Sequence, residues 1–305
     1  MIDIIIINWN SADYLEKCIN SIFTTKNDVF VRTIFIIDNN SSDFSVEKIK
    51  VNDKIKIIRN KQNLGFAKAC NQGFRLSKAP YLLLLNPDTQ LLSSTLEDCI
   101  TCMKENEDID ILGCRLIKEN GEVTTSCSRF PTPSRFFFTS IGLSKIFPSI
   151  FPPAVLMTGW DHKSSRFVDQ VMGAFMFMKQ AIFKKIGYFD ERFFVYFEEL
   201  DFSKRLSESG GKTFFNTNIS AIHSGEGTTK GVKAYRLFLN LRSRLQYSKK
   251  HFSTSGYLLV WIGTFFIEPL SRSFFLIASG KSEELKDLLN GYKLLTGISK
   301  DTSMK

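Results

Sequence analysis

The apolar run at residues 81–85, Tyr-Leu-Leu-Leu-Leu, ends abruptly at Asn86-Pro87-Asp88. A run this short and this apolar is typical of a strand buried on both faces, as in parallel α/β sheets. Because Pro87 cannot continue a strand ladder, we expect Asp88 to lie at the carboxyl end of the strand. Ligands bind at that edge of open α/β sheets, where a carboxylate is suited to hold a divalent cation against phosphates. The alternative is a Pro-Asp turn with a solvated side chain.

Apolar strands alternate with helical patterns through the first half of the chain, which predicts βαβ units and a mainly parallel sheet flanked by helices. The strands predicted there are residues 2–7, 32–37, 54–58, 81–85 and 109–117. Further on, the pattern predicts a strand at 168–178, a helix at 198–209, and short strands at 212–215 and 219–222. Residues 127–167 are rich in proline and phenylalanine, and we expect an irregular wall or lid there.

The chain is basic, with a formal charge of +9 and a pI near 9.2, which favours an anionic partner. A nucleic-acid-binding protein is one such reading, motivated by the basic segment 236–250. However, the predicted strands end on acidic residues where nucleic acid would need cations, so we expect no nucleic-acid partner. Asp3 interrupts the first apolar run, which argues against a signal peptide and predicts a cytoplasmic protein whose six cysteines are free thiols.

The C-terminal part of the chain has a different pattern. Residues 234–251 interleave basic and apolar side chains, and residues 257–278 are strongly apolar but interrupted by Glu268, Pro269 and Arg272. Neither side of that interruption reaches the roughly 20 apolar residues of a membrane-spanning helix. The pattern predicts helices that lie peripherally on the inner face of the cytoplasmic membrane. The alternative is a helical pair packed on the main domain or on a second subunit of a homodimer.

Polar clusters follow several predicted strands. They are residues 38–43 (Asp-Asn-Asn-Ser-Ser-Asp), Asn63 with Gly65, Asn86-Pro87-Asp88, and His223. Each alone is typical of turns and helix caps. Their shared location at carboxyl strand ends predicts a single nucleotide site. The sequence has no Gly-x-Gly-x-x-Gly after the first strand and no Gly-Lys-Ser/Thr, so neither a dinucleotide dehydrogenase nor a P-loop NTPase is supported.

Three carboxylates occur together in the aromatic segment 193–202, where Glu198, Glu199 and Asp201 follow Phe-Phe-Val-Tyr-Phe. At a helix start, Glu198 and Glu199 would be stabilised by the positive end of the helix dipole. One of these carboxylates is a candidate general base toward a hydroxyl group. The alternative is that all three are simple first-turn acids.

Five motifs in this chain occur in the order of one known family. They are residues 38–43, residues 63–67 (Asn-Leu-Gly-Phe-Ala) with Asn71, residues 85–88 (Leu-Asn-Pro-Asp), residues 171–174 (Val-Met-Gly-Ala), and residues 189–201. On these motifs the chain, over about residues 2–250, resembles the family 2 nucleotide-sugar glycosyltransferases and their rhamnosyltransferase-like branch. The resemblance implies an α/β GT-A fold, with a Rossmann-like, mainly parallel sheet flanked by helices, and inversion at the transferred sugar.

The resemblance also implies roles for individual residues. Asp38 would read the nucleobase, helped by Asn10 and Asn63. The full predicted nucleotide set is Asn8, Asn10, Asp38, Asn40, Asn63, Gly65 and Asn71. Asp88 and His223 would bind Mg²⁺ or Mn²⁺ on the diphosphate, with Asn86 standing where the family often has its first acid. Gly173 and Ala174 would line the sugar pocket, and Asp201 would be structural or acceptor-binding. The base would come from Glu198 and Glu199, with Glu199 favoured.

The activity implied is transfer of a sugar, L-rhamnose from dTDP-rhamnose in the first instance, to a glycan acceptor linked to polyprenyl diphosphate. The process would be bacterial surface polysaccharide synthesis, such as O-antigen or capsule. A UDP-hexose transferase for galactose or glucose is the alternative. The predicted domains are 1–230, with a nucleotide-binding half (1–115) and an acceptor and catalytic half (116–230), and a C-terminal helical, membrane-associating extension (231–305).

Overall fold

The computed structural model describes residues 1–225 and 233–298. Its strands are β1 (Ile2–Asn8), β2 (Val31–Asp38), β3 (Ile55–Arg59), β4 (Tyr81–Leu85), β5 (Thr89–Leu91), β6 (Ile111–Ile117), β7 (Cys127–Ser128), β8 (Arg166–Val168), β9 (Gln170–Val171), β10 (Phe175–Lys179) and β11 (Thr213–His223). Its α-helices are α1 (Tyr14–Phe23), α2 (Phe66–Leu76), α3 (Thr95–Glu105), α4 (Pro133–Ser140), α5 (Leu143–Ile146), α6 (Ile182–Ile186), α7 (Glu198–Glu208), α8 (Lys233–His251), α9 (Thr254–Ile262), α10 (Glu268–Ala278) and α11 (Leu285–Leu295).

The main sheet, over the described residues, runs β3-β2-β1-β4-β10-β6-β11-β5, with β8 beside β11. The first four strands are parallel, and β10 enters antiparallel between β4 and β6. Every residue of β1 is buried, as expected for a strand covered by helices on both faces. The predicted α/β fold with flanking helices is therefore confirmed, as a mixed sheet with a parallel half.

The predicted strand 168–178 is wrong in one respect. The chain there forms β8, β9 and β10, and residues 172–174 make a turn between the last two. The turn forms because β9 pairs with β7 in a separate two-stranded sheet, whereas β10 pairs with β4. Apolar periodicity does not distinguish one long strand from two strands in different sheets. The break places Gly173 and Ala174 at the carboxyl end of β4.

Two compact units make up the described chain. The first contains residues 1–128, 161–191 and 198–225, and holds the main sheet. The second contains residues 129–160, 192–197 and 233–298, and includes α4, α5 and α8 to α11. The irregular wall predicted for residues 127–167 thus contains two helices. The predicted domain boundary at residue 230 lies outside the described residues.

In the second unit, Pro269 does not interrupt the apolar segment. A π-helical turn at Gly263–Ile267 joins α9 to α10, so that Thr254–Ala278 is one continuous helix. Proline lacks the N–H that an α-helix needs at its position, and the wider turn, in which the Glu268 N–H donates to the Gly263 carbonyl, accommodates it. By length and composition alone this helix is long enough to cross a membrane, which corrects the expectation of two short apolar pieces.

Candidate active site

Asn8 and Asp38 lie side by side at the carboxyl ends of β1 and β2, where they are paired in the parallel register. The Asn8 amide donates to Asp38 Oδ1 at 2.9 Å and to Ser41 Oγ at 3.0 Å. Asn8 is fully buried and Asp38 nearly so. Asn8 therefore holds Asp38 in place, while the predicted contact of Asp38 with a nucleobase stays a prediction.

The loops that follow β1 and β2 are pinned to each other beside Asp38. The side-chain Oδ1 of Asn10 accepts from the Ser42 backbone N–H at 2.7 Å. Asn10 and Asn40 both have positive φ angles, 50° and 66°. Asparagine tolerates this left-handed conformation better than most residues, because its short amide bonds locally. The structure thus brings Asn8, Asn10, Asp38 and Asn40 together at one edge.

Asn39, to which the sequence analysis assigned no role, organises the neighbouring loop. Its amide nitrogen donates to Asn63 Oδ1 at 2.8 Å and to the Gly65 carbonyl at 3.2 Å. Its oxygen accepts from Asn60 Nδ2 at 3.1 Å and from the Leu64 N–H at 3.0 Å. Two donors and two acceptor sites are all that an amide side chain offers, so Asn39 is fully engaged. The one sequence signal that could have identified Asn39 is its position within the motif at residues 38–43.

Asn63 is oriented by this arrangement. Its oxygen accepts from Asn39 and also from the Gly65 N–H at 2.9 Å. Both acceptor sites of Asn63 are therefore occupied, and the group it has left to offer a ligand is its NH₂ donor. Gly65 adopts a φ of +84° immediately before α2, a conformation that favours glycine.

Asn71 is engaged elsewhere. It is fully buried on α2, and it exchanges hydrogen bonds with the backbone of Phe189, at 2.9 Å and 3.0 Å. It also donates to Glu191 Oε1 at 3.0 Å. These contacts fix the segment that follows α6. The predicted nucleotide-binding role of Asn71 gains no support from them, and the nucleotide site proposed below does not include it.

Asp88 and His223 are brought together by the antiparallel pairing of β5 with the end of β11. Thr89 is opposite His223 in the register, and His223 Nε2 lies 3.3 Å from Asp88 Oδ1. The other ring nitrogen of His223, Nδ1, is buried and has no hydrogen-bond partner among residues 1–225 and 233–298. Nothing local in the sequence links these two residues, which are 135 positions apart.

Asp88 and His223 together offer two protein ligands for the predicted divalent cation. Over residues 1–225 and 233–298, no group of three or more His, Cys, Asp or Glu side chains is arranged to hold a metal. Mg²⁺ sites in phosphate-processing enzymes commonly use one or two protein ligands and take the others from phosphates and water. A carboxylate beside an imidazole with an unsatisfied buried nitrogen fits such a site for Mg²⁺ or Mn²⁺.

Glu199 meets the 172–174 turn at Gly173. The Gly173 backbone hydrogen-bonds to the Glu199 carboxyl, and a Cβ on Gly173 would lie 3.2 Å from Glu199 Cδ and closer still to Oε1. The adjacent Ala174 carbonyl accepts from the Asn86 N–H at 3.1 Å and from Thr89 Oγ1 at 3.3 Å. The loop that carries Asp88 and the helix that carries Glu199 therefore meet at consecutive residues.

The pKa of Glu199 is raised above its ordinary value. Burial is the largest cause, and hydrogen bonds from backbone groups, including Gly173, and with Glu198 offset it only in part. Burial, together with the charges of Glu198 and Glu199, also raises the pKa of the nearby Cys70 thiol. A carboxylate whose charge is disfavoured in this way accepts a proton more readily than an exposed one, which suits a general base.

Two bulky residues directly before α7 have left-handed backbone conformations. Tyr196 and Phe197 have φ angles of 69° and 70°. Such angles cost on the order of 1–3 kcal/mol for each residue and cluster at functional sites. Within the second unit, Phe197 is held by ring contacts with Phe136 and Tyr247. The residues that lead into Glu198 are thus fixed in a strained conformation.

Asp201 is fully buried and forms an ion pair with Arg205 at 2.9 Å. The Arg205 guanidinium also donates to the carbonyls of Ile186 and Tyr188. This arrangement holds the chain after α6 against α7. It supports the structural alternative for Asp201, and the acceptor site proposed below does not include it.

A family model described as "Glycosyl transferase family 2" matches residues 3–187, well over half of the chain. The chain belongs to glycosyl transferase family 2. The predicted family and enzyme class are thereby confirmed, and the protein is a glycosyltransferase. The matched region contains the strands and loops that carry Asp38, Asn63, Asp88 and Gly173.

Curated relatives agree with this assignment. This family 2 enzyme is 27% identical to the low-salt glycan biosynthesis hexosyltransferase Agl10 of Haloferax volcanii, over 83% of this chain and 77% of the relative. It is 20% identical to the N-acetylglucosaminyl-diphospho-decaprenol L-rhamnosyltransferase of Mycobacterium tuberculosis, over 73% of this chain and 76% of the relative. The enzyme thus stands among hexosyltransferases, with rhamnosyltransferases among its relatives.

A solved structure shows the same fold. The mannosyltransferase PcManGT from Pyrobaculum calidifontis, in complex with GDP-Man and Mn²⁺, superposes with a TM-score of 0.58, covering 98% of this chain and 88% of that chain. The two sequences are 10% identical, so the likeness concerns the fold alone. The predicted GT-A fold is confirmed.

Proposed function

We propose that this glycosyltransferase transfers L-rhamnose from dTDP-rhamnose, with inversion, to a glycan acceptor carried on polyprenyl diphosphate. The process would be bacterial surface polysaccharide synthesis, such as O-antigen or capsule. One observation carries the proposal: the Asp88 loop and Glu199 meet at Ala174 and Gly173. In the proposal, the leaving-group site and the proton acceptor are therefore held by consecutive residues of one short turn.

In this proposal Glu199 takes the proton from the acceptor hydroxyl, and that hydroxyl oxygen attacks the anomeric carbon in line with the departing diphosphate. Glu198 shares a hydrogen bond with Glu199 and orients it. Gly173 and Ala174 line the space where the sugar sits. Inversion follows because the base and the leaving group are on opposite faces of the sugar.

The nucleotide would lie across the carboxyl ends of β1 and β2. Asp38 accepts a hydrogen bond from the base, with Asn10 and Asn40 beside it, and Asn63 offers its NH₂ group to a base carbonyl. Gly65 opens α2 at the same edge, where the helix N-terminus favours an anion. Asn8 holds Asp38 in position and Asn39 holds Asn63, each by a hydrogen bond.

Asp88 and His223 would hold Mg²⁺ or Mn²⁺, which supplies positive charge to the leaving diphosphate. Because the protein would supply only these two ligands, the phosphates of the nucleotide sugar and water would complete the coordination. The cation and the nucleotide sugar would therefore bind together. Support from relatives is indirect, since Mn²⁺ is named with the Pyrobaculum mannosyltransferase.

The lipid-linked acceptor is supported by the name of the mycobacterial relative, which acts on a decaprenol-linked sugar. Such acceptors are anchored in a membrane, which agrees with a peripheral location on the inner face of the cytoplasmic membrane. The alternative is a UDP-galactose or UDP-glucose donor, and the relative Agl10 supports the transfer of a hexose in general. The predicted homodimer has no further support.

The test is a transfer assay with dTDP-rhamnose, UDP-galactose and UDP-glucose, each with polyprenyl-diphosphate-linked acceptor and Mn²⁺. We expect turnover with dTDP-rhamnose to exceed the others by at least about tenfold, a difference of 1.4 kcal/mol. Preferential use of a UDP-hexose would replace the donor assignment by the alternative. No transfer from any of the three would contradict the proposed function.

Metal dependence is tested separately with Asp88→Asn, which we expect to lower kcat/KM by about 10²-fold or more, because charge on the leaving diphosphate is no longer offset. The matched control is Asp53→Asn, at an exposed carboxylate outside the site. Full activity of wild-type protein in EDTA would remove the cation from the proposal.

A further inference from the structure

Within the described part of the chain, no neighbouring element covers one apolar face of the helix Thr254–Ala278. Six side chains on it recur at intervals of four and then three residues, so that they fall on one side of the helix. They are between 38% and 73% exposed, and form a surface that we call the apolar stripe: Leu258, Ile262, Phe266, Leu270, Phe274 and Ile277. At 1.5 Å per residue the stripe is about 29 Å long.

The opposite face of this helix packs against other helices of the second unit, to which the helix itself belongs. A methyl group on Gly256 would lie 2.8 Å from Pro133 Cγ, and one on Gly263 would lie 3.0 Å from Ser140 Oγ. Glycine at these two positions therefore allows α4 to approach closely. Glu268 is buried and ion-paired with Arg244. The helix is thus held along its length by backbone proximity and by a buried charge pair.

The exposed charge within the helix, and the charge that contacts it from α5, are both positive. Glu268 is the one acidic residue in the sequence of this helix, and it faces inward. Arg272 is 45% exposed, and the ammonium group of Lys145 lies 4.8 Å from the Phe275 ring. Lys281 follows the helix and is exposed. An apolar stripe bordered by cations is complementary to a surface with apolar depth and negative headgroups.

We infer that the apolar stripe lies in the plane of an anionic lipid bilayer, and that the helix does not cross it. An in-plane helix buries only its apolar face, about 5–10 Å deep, which is the face this helix leaves open. Crossing would carry Glu268 and Arg272 into hydrocarbon, where charged groups are strongly disfavoured, and would pull the helix away from α4 and Arg244. The inference rests on the proposed function, whose acceptor is lipid-linked.

The test is co-sedimentation of the full chain with vesicles of phosphatidylglycerol and phosphatidylethanolamine. We expect Phe266→Ser/Phe274→Ser to lower vesicle partitioning by about tenfold or more, since two apolar side chains no longer enter the bilayer. A second pair, Leu270→Ser/Ile277→Ser, should behave in the same way. The matched control, Val29→Ser/Val51→Ser, changes similarly exposed apolar residues of the first unit and should bind as wild type does. Wild-type binding by both stripe variants would overturn the inference.

The orientation is tested by introducing Ser255→Cys and Ser279→Cys, one near each end of the helix. All six native cysteines lie in the described part of the chain and are buried, so exposed new thiols react selectively. An impermeant maleimide added outside the vesicles should label both positions. Protection of one position alone would mean a spanning helix and overturn the inference.

Sedimentation velocity without lipid tests whether a second copy of this chain, and not a bilayer, covers the apolar stripe. If the stripe variants change a dimer into a monomer and leave vesicle binding intact, the stripe is an interface between two copies of this chain, and the inference is overturned. Failure of the proposed function looks different, because the wild type would then bind vesicles through the stripe and transfer no sugar to any acceptor.

Discussion

The carboxyl groups of Asp3 and Glu199 lie near opposite ends of the parallel strands, and their pKa values are shifted in opposite directions. Asp3 lies near the amino end of β1 and is fully buried. Burial raises its pKa, but hydrogen bonds from Arg32, Ser77 and the backbone of Ala79 and Lys78 outweigh burial, so the pKa is lowered. The ionised form of Asp3 is therefore the stable one.

Glu199, near the carboxyl end of β4, has fewer donors, and there burial prevails and raises the pKa. The difference shows that hydrogen-bond donors outweigh burial at Asp3, whereas burial outweighs the donors at Glu199. At the amino edge the donors stabilise the fold. At the carboxyl edge their scarcity leaves a carboxyl group ready to take up a proton.

The variant Glu199→Gln tests the role of Glu199 as general base, and it should have the largest effect. We expect turnover to fall by about 10²–10⁴-fold, because the amide cannot accept the proton of the acceptor hydroxyl. Because the folded-state pKa of Glu199 is raised, its ionisation costs stability as pH rises, and the neutral amide should give an equal or higher Tm. Steady-state kinetics and calorimetry measure the two effects, and near-wild-type turnover would remove Glu199 from the role.

The same raised pKa gives a pH dependence. Glu199 must be ionised to act as base, so kcat/KM of the wild type should fall on acidification at a pH above the ordinary glutamate pKa of 4.5. An acid limb that stays at or below 4.5 would contradict the raised pKa.

The counterpart at the amino edge is Asp3→Ala. We expect a loss of about 3 kcal/mol in the free energy of unfolding, because Arg32 and the donors of Ser77, Lys78 and Ala79 lose their acceptor. Asp3 has a lowered folded-state pKa, so its contribution is present above the unfolded value, near 3.9, and is lost as pH falls through the folded value. Denaturant unfolding at pH 7 and at pH 3 should therefore show a smaller difference between variant and wild type at the lower pH.

Gly173→Ala probes the contact between the turn and the base. The new methyl group would collide with the Glu199 carboxyl, and we expect turnover to fall by roughly tenfold to a hundredfold through misplacement of the base. The control is Gly121→Ala, where a Cβ meets nothing within 4 Å, although the positive φ there lowers stability slightly. Unchanged kcat in Gly173→Ala would mean that Glu199 moves aside without cost.

The smallest effect is expected from Asn39→Asp. A carboxylate cannot donate to Asn63 Oδ1 or to the Gly65 carbonyl, so the orientation of Asn63 is lost. We expect KM for the donor to rise by about tenfold while kcat changes little, since the loss is in nucleotide binding. A fall in kcat at unchanged KM would place Asn39 in a different role.

Much of the parallel half of the fold was predictable from local pattern. The predicted strand 81–85 matches β4 residue for residue, and β1, β2 and β3 were placed within a residue or two. Because a strand buried on both faces is continuously apolar, the ends of the apolar run in the sequence mark the ends of the strand. The polar clusters at the strand ends were also predicted from the sequence, and the five motifs predicted the family.

Local sequence pattern was therefore enough to predict the parallel strands, the residues at their carboxyl ends and the motifs of the family. Four features depend on long-range packing and were visible only in the folded chain. They are the turn at residues 172–174, the contact of His223 with Asp88, the contact of Gly173 with Glu199, and the continuation of the helix through Pro269. The reason is physical: periodicity reports which face of one element is apolar, whereas these contacts arise when β10 and β11 pair with strands far away in the chain.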